Sequence, residues 1–288
     1  LSDLEAVVWL SETAWSSGAV VSMSDPFLIE GPAVVSFSGG RTSGYMLRRM
    51  LDAGLRPDVY VLFANTGKER EETLAFVAQA TVRWKVPIYW LERREAGRYV
   101  EVDFATASRD GEPFQQLIEE RHYLPNPRAR FCTQELKIET FRWFMQKRGY
   151  DAWSNVVGFR ADERRRVART RQREAEDPCA WASVFPLDDA GVTKSTIEDF
   201  WRRSPFDLAL GPHEGNCDLC FLKGVTIRRS LMRERPGSAD WWIDQERAIG
   251  ATFRSKASPS YAQIASHRAL PMYAPEDDLT DMECFCHD

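Results

Sequence analysis

The sequence predicts an α/β protein: a doubly wound, mainly parallel sheet with a smaller cysteine-bearing C-terminal lobe. Three observations predict it. Apolar, β-branched runs recur at Ala33–Phe37, Val59–Phe63 and Ile88–Leu91. Stretches with apolar residues at helical spacing separate them, as in the βαβ units of parallel sheets. The first run ends in Ser38-Gly39-Gly40, a glycine turn leading from strand to helix.

Each element follows from its residues. Met46, Leu47, Met50 and Leu51 give the first helix an apolar face, and Gly54 is placed to stop it. Residues 58–63 form the second strand, with Ala64-Asn65-Thr66-Gly67 as its loop. Leu74, Phe76, Val77 and Ala80 mark a helix over 68–83, and residues 88–91 a third strand. Helices are expected over 113–122 and 133–148, the latter ended by Gly149. A fourth strand is expected at Asn155–Gly158, and a helix opening at a Ser195–Glu198 capping box and running through Trp201. The ten tryptophans read as packing.

The chain divides into a leader, 1–28, a nucleotide-binding domain, 29–175, and a C-terminal segment, 176–288, that carries most of the cysteines. Hydrophobic residues make up 43% and charged residues 28%, a globular balance, and no apolar run is long enough to span a bilayer. Asp3, Glu5 and Glu12 are wrong for a secretory signal, so a cytoplasmic protein with no membrane partner is expected. The net charge of −5 argues against a general polyanion binder. Seven arginines between Arg160 and Arg173 nevertheless form a local basic stretch, either a phosphate-facing surface or a solvated face.

Ser38-Gly39-Gly40-Arg41-Thr42-Ser43 has the makings of an anion cradle. Glycines let backbone N–H groups converge, the helix behind contributes its positive end, and Ser38, Thr42 and Ser43 add hydroxyls. It is neither a Walker A motif nor a dinucleotide fingerprint. The segment Val35–Ser43 resembles the S-G-G-x-x-S loop of PP-loop adenine-nucleotide enzymes, which include ATP pyrophosphatases, tRNA thiolases and the phosphoadenosine phosphosulfate (PAPS) reductase group. Phe63–Gly67, followed by Glu69 and Glu72-Thr73, is similar to that group's D-T-G-x-x-x-x-E-T segment, with Asn65 in place of Asp. Thr42 stands where ATP pyrophosphatases commonly have Asp. The resemblance implies a nucleotide site formed by Ser36, Phe37, Ser38, Gly39, Gly40, Thr42 and Ser43 together with Ala64, Asn65 and Thr66. Val157–Arg160 looks like a later G-x-R segment, so Gly158 and Arg160 join the site. Arg160 would neutralise charge developing on phosphate.

Six cysteines without a secretory signal point to a metal site before a disulfide framework. Cys217-Asp218-Leu219-Cys220 is a C-x-x-C that fits two ligands of a metal, a redox dithiol or two core thiols. Arg130–Thr133, with Lys137-Ile138-Glu139, resembles the C-C-x-x-x-K-V-E-P region of assimilatory adenylyl-sulfate reductases, with Phe131 in place of the first cysteine. Cys132, Cys217 and Cys220 then match three ligands of a 4Fe–4S cluster, with Cys284 or Cys286 as the fourth; spacing alone leaves zinc open. PAPS reductases end in an E-C-G-[IL]-H tail whose cysteine attacks sulfur. Glu283-Cys284 matches its start, which makes Cys284 alternatively a nucleophile. Cys179 reads as a structural thiol.

The resemblance implies an iron–sulfur enzyme of sulfur metabolism that binds ATP or PAPS, with Mg²⁺ as an accompanying ion. The leading expectation is ATP-dependent activation followed by sulfur transfer, with a nucleic-acid acceptor and a protein donor of sulfur or electrons. The alternatives are direct reduction of PAPS or adenylyl sulfate by a cysteine, and a regulatory or redox-sensing module with a structural cluster.

Overall fold

The computed structural model describes residues 25–266 except 96, 212, 216, 256 and 257. The first three strands, β1 (Ala33–Ser36), β2 (Val59–Ala64) and β3 (Ile88–Arg93), alternate with α1 (Arg41–Ala53) and α2 (Glu71–Trp84). The expected βαβαβ order is present. Gly54 stops α1 at φ +106°, its N–H donating to Met50 O at 3.0 Å.

The sheet has six strands in the order β4-β3-β2-β1-β5-β6, with β4 (Tyr99–Val102), β5 (Trp153–Val156) and β6 (Trp181–Val184) completing it. All neighbours are parallel except β3 and β4. The chain runs outward from β1 through β2 and β3, then returns to place β5 on β1's other side. The carboxyl end of β1 is therefore the switch point, where ligands of open α/β sheets sit.

Successive side chains of a strand point to opposite faces. Val35, Val61, Phe63 and Trp90 pack with α1, α2 and α8 (Lys194–Arg203). Val34, Leu62, Leu91 and Trp153 pack on the other face with Phe141, Phe144 and Met145 of α5 (Thr140–Lys147). The sheet is thus covered on both sides, as predicted. Trp201 fastens α8: it is buried, its indole N–H donates to Arg41 O at 2.8 Å, and Gly44 leaves room for its ring. Burying such a side chain contributes about 2–3 kcal/mol.

Several expectations shift. β4 and β6 were not legible, being short and partly exposed edge strands without a clean apolar run. The fourth strand lies two residues earlier than expected, at 153–156. The expected 113–122 helix is α3 (Glu112–Arg121). The single helix expected over 133–148 is a turn of α4 (Phe131–Thr133), a π-helical segment (Gln134–Glu139) and α5. The capping box of α8 is formed by Thr193 and Thr196, not from Ser195. The basic stretch beyond Arg160 is mostly α6 (Arg164–Glu176). The expected boundary at 175/176 falls inside the last turn of α6, and α7 (Pro186–Asp189) and α8 beyond it also serve the sheet layer. Cys179 is exposed, its thiol donating to Trp181 O at 3.2 Å.

A second apolar cluster joins α3, Leu136 and residues 217–222 to α9 (Val225–Glu234), α10 (Asp240–Ile249) and α11 (Tyr261–Ala265). Trp242 is fully buried there, stacked on Tyr261 with ring centroids 5.2 Å apart, which agrees with the packing role read from the sequence.

Candidate functional site

The glycine loop closes on itself just past β1. Ser43 Oγ accepts from Ser38 N at 3.3 Å, lies 3.0 Å from Ser38 Oγ and donates to Gly40 O at 3.1 Å. Gly40 is the N-cap of α1 and no side chain caps it, so the helix's positive end faces the loop. Arg41 turns away, to Asp207 at 2.8 Å and Leu208 O at 2.7 Å. Ser36, buried, donates to Asn155 Oδ1 at 3.0 Å and ties β1 to β5.

Gly39 has a different reason from the one expected. Its φ is +76°, and an added Cβ would lie 2.7 Å from Thr73 Cγ2 and 3.0 Å from Val77 Cγ2. The missing side chain makes room for α2.

Gly158 is buried beyond β5 and brings Arg160 back to the loop. Arg160 Nη1 donates to Thr42 Oγ1 at 3.5 Å, while Asp162 (3.0 Å) and Glu163 (3.3 Å) hold the guanidinium. Residues 118 positions apart therefore meet at the switch point. Ser36, Phe37, Ser38 and Ala64 line a narrow pocket there, walled by Lys137 and Phe141. The π-helical segment places Lys137: its ammonium is buried, 3.9 Å from Glu69 Oε1.

Asn65 is placed beside this pocket with its side chain otherwise engaged. It is fully buried, and its amide donates to Glu92 Oε1 at 2.7 Å and Ser108 O at 2.9 Å. Glu92 is itself fully buried and accepts from Ser108 N at 2.6 Å and Arg94 at 2.9 Å. An Asp at 65 would set two carboxylates against each other, so the departure from the D-T-G pattern matches Glu92. Thr66 faces the cysteines: its hydroxyl donates to Glu69, and its Oγ1 lies 3.7 Å from Cys217 Sγ.

The C-x-x-C loop is stitched to the same strand end. Cys217 bridges to Glu69, and Asp218 N donates to Lys68 O at 2.8 Å. Asp218 also pairs with Lys68 at 3.3 Å and accepts from the Trp242 indole at 2.9 Å. Tyr261 donates to Leu219 O at 2.6 Å. Cys217 and Cys220 are buried and Cys132 half-buried, all three in the second apolar cluster.

This apolar setting holds several cations. Lys223 donates to Cys217 O at 2.9 Å and Asp218 O at 3.1 Å, and burial pulls its ammonium below the ordinary lysine value. Arg228 is 1% exposed, and its Nε and Nη2 have no hydrogen-bond partner among the described residues. Arg70 is buried against Glu214 at 3.3 Å, and its burial lowers its pKa. Soft thiols beside buried cations suit an anionic thiolate-bound group. Among the described residues no three His, Cys, Asp or Glu side chains converge closely enough to hold a metal ion. Cys284 and Cys286 lie outside the described residues.

Sequence reasoning missed Glu92, Arg228 and Asn155. Glu92 follows an apolar run in β3, and Arg228 sits in a helix among other charges. No local signal marks either.

No helix among the described residues is long and apolar enough to cross a membrane. The chain is 31% identical over 205 residues to the nin region protein ORF290 of Escherichia phage lambda, covering 67% of this chain and 66% of that protein. It is 30% identical over 135 residues to protein MJ0066 of Methanocaldococcus jannaschii, covering 47% and 24%. The chain thus spans just under two thirds of the phage relative and about a quarter of the archaeal one. A solved structure of the U34-tRNA thiolase NcsA from Methanococcus maripaludis, with its 4Fe–4S cluster, matches at a TM-score of 0.37 and 12% identity over 83% of this chain and 81% of that one. The family model of the phosphoadenosine phosphosulfate reductase domain matches residues 32–204, well over half of the chain, and the protein belongs to that family.

Proposed function

We propose that the protein binds ATP at the Ser38–Ser43 loop and uses it to activate an acceptor for sulfur transfer. The observation that carries this reading is the meeting of Arg160 with Thr42 at the carboxyl end of β1, beside the open end of α1. Family membership supports nucleotide-dependent sulfur chemistry.

In the proposed reaction an acceptor carbonyl oxygen attacks the α-phosphorus of ATP and pyrophosphate leaves. Sulfur at the hydrosulfide level then attacks the activated carbon, and AMP departs with the oxygen. A C=O becomes a C=S with no net change in oxidation state, and the hydrosulfide proton passes to solvent. Backbone N–H groups of the loop and the α1 end bind the phosphates, and Arg160 offsets the charge developing as pyrophosphate leaves. Ser36, Phe37 and Ala64 contact the nucleoside; Asn65 holds the strand end in place. Mg²⁺ would accompany the nucleotide.

Cys132, Cys217 and Cys220 would hold a 4Fe–4S cluster, with Cys284 or Cys286 as fourth ligand; such a cluster supplies a binding point for sulfide. Lys223 and Arg228 supply countercharge, and Thr66 and Glu69 link this region to the nucleotide crevice.

Arg160→Lys keeps a cation against Asp162 and Glu163 but loses the guanidinium fork. ATP–Mg²⁺ affinity by calorimetry should fall about tenfold, in line with a lost charge-assisted hydrogen bond. Unchanged affinity would place the nucleotide elsewhere.

A further inference from the structure

A second concavity, about 600 Å³, lies beside the nucleotide crevice. Asn155 of β5 and Trp181 of β6 contribute to its floor. One wall is the segment before the π helix, with Arg130 and Phe131, and the other is α6, with Arg166, Arg169 and Arg173. Those three arginines are spaced by three and four residues, which puts them on one face of the helix. Arg169 and Arg173 are exposed, one turn or about 6 Å apart along the axis. Among the described lining residues the only acid is Glu174, whose carboxylate accepts from Ser183 N at 3.1 Å and Ser183 Oγ at 2.5 Å. Arg166 is paired with Glu163, and the groove combines the arginines of its two walls with aromatic surface.

The placement of this groove is as informative as its charge. Asn155 accepts from Ser36, which lines the nucleotide pocket. Phe131 and Thr133, both lining residues, flank Cys132. A ligand in the groove thus lies against residues that adjoin the nucleotide pocket and Cys132, the placement an acceptor needs if it is activated at one and sulfurated near the other.

We propose that this groove is the acceptor subsite and takes a single-stranded segment of nucleic acid, phosphates on Arg130, Arg169 and Arg173 and a base against Phe131 and Trp181. The proposal rests on the sulfur-transfer reading above and names its acceptor class. A cationic track with aromatic platforms is the chemistry that holds single strands without needing a sequence. The volume has room for a nucleotide or two.

The test uses the whole protein and short fluorescein-labelled single-stranded RNA, single-stranded DNA and the matching duplex, read by anisotropy. At least one single strand should bind more tightly than the duplex, and the RNA and DNA arms identify the sugar. Three phosphate contacts give a log–log salt slope of about −2. The double variant Arg169→Glu/Arg173→Glu changes only exposed side chains. It should weaken binding at least about tenfold and make the slope shallower by about 1.4. Unchanged affinity in that variant, or preference for the duplex, overturns the proposal. So does displacement of the oligonucleotide by ATP together with an equal loss of ATP affinity in the variant, since the groove would then belong to the nucleotide. Wild-type protein that binds oligonucleotide but not ATP would instead refute the ATP reading and leave the groove standing.

Discussion

At φ +76°, with two α2 methyl groups within 3.0 Å of where a Cβ would sit, Gly39 tolerates no side chain. Gly39→Ala should cost about 2–4 kcal/mol by denaturant unfolding, from the left-handed backbone and the overpacking together. A neutral result would show that α2 can shift. Asn65 gives a second residue-scale prediction. Asn65→Asp sets a carboxyl against buried Glu92, so one acid is held protonated with a raised pKa. An acid whose pKa is raised in the folded state destabilises that state increasingly as pH rises above the unfolded value, in full above the raised value, and the penalty fades as pH falls back toward the unfolded value. The variant should lose about 3 kcal/mol at neutral pH, with the gap to wild type narrowing in acid; a gap constant with pH would contradict this. The Ser38–Ser43 loop was legible because turn and hydroxyls are local in sequence. The partnership of Asn65 with Glu92 was not, because it is set by strands that meet only in the fold.

Among elements, the parallel strands were readable where burial on both faces makes an unbroken apolar run, as in β2. The edge strands β4 and β6 were not, because one side meets solvent and their pattern is mixed. The π-helical segment was also hidden: Gln134–Glu139 carries helical residues, and only packing forces the extra residue per turn that buries Lys137 near Glu69. In the cysteine loop, Lys223 is half-buried with carbonyl oxygens as its hydrogen-bond acceptors, which is costly unless the neighbouring thiols carry negative charge. Lys223→Met should therefore melt at or above wild type in chelator-stripped protein, by about 1–2 kcal/mol, and below wild type when iron-loaded. Equal shifts in both states would show that Lys223 does not answer a bound anion.

Across the whole molecule, β1 joins the two chemical regions. Its carboxyl end carries the Ser38–Ser43 loop, β2 beside it leads to Thr66 near Cys217, and β5 on its other side leads to Arg160. The sequence placed the motifs on the correct elements, but the 151-residue link from Thr66 to Cys217 appears only when the C-terminal cluster packs on the strand ends. The most direct measurement is calorimetric titration of anaerobically purified protein with ATP–Mg²⁺ and with PAPS, with iron and sulfide quantified in the same sample. The account predicts clear preference for ATP in protein that carries iron and sulfide together. Preference for PAPS, or no nucleotide binding by iron-loaded protein, would contradict it.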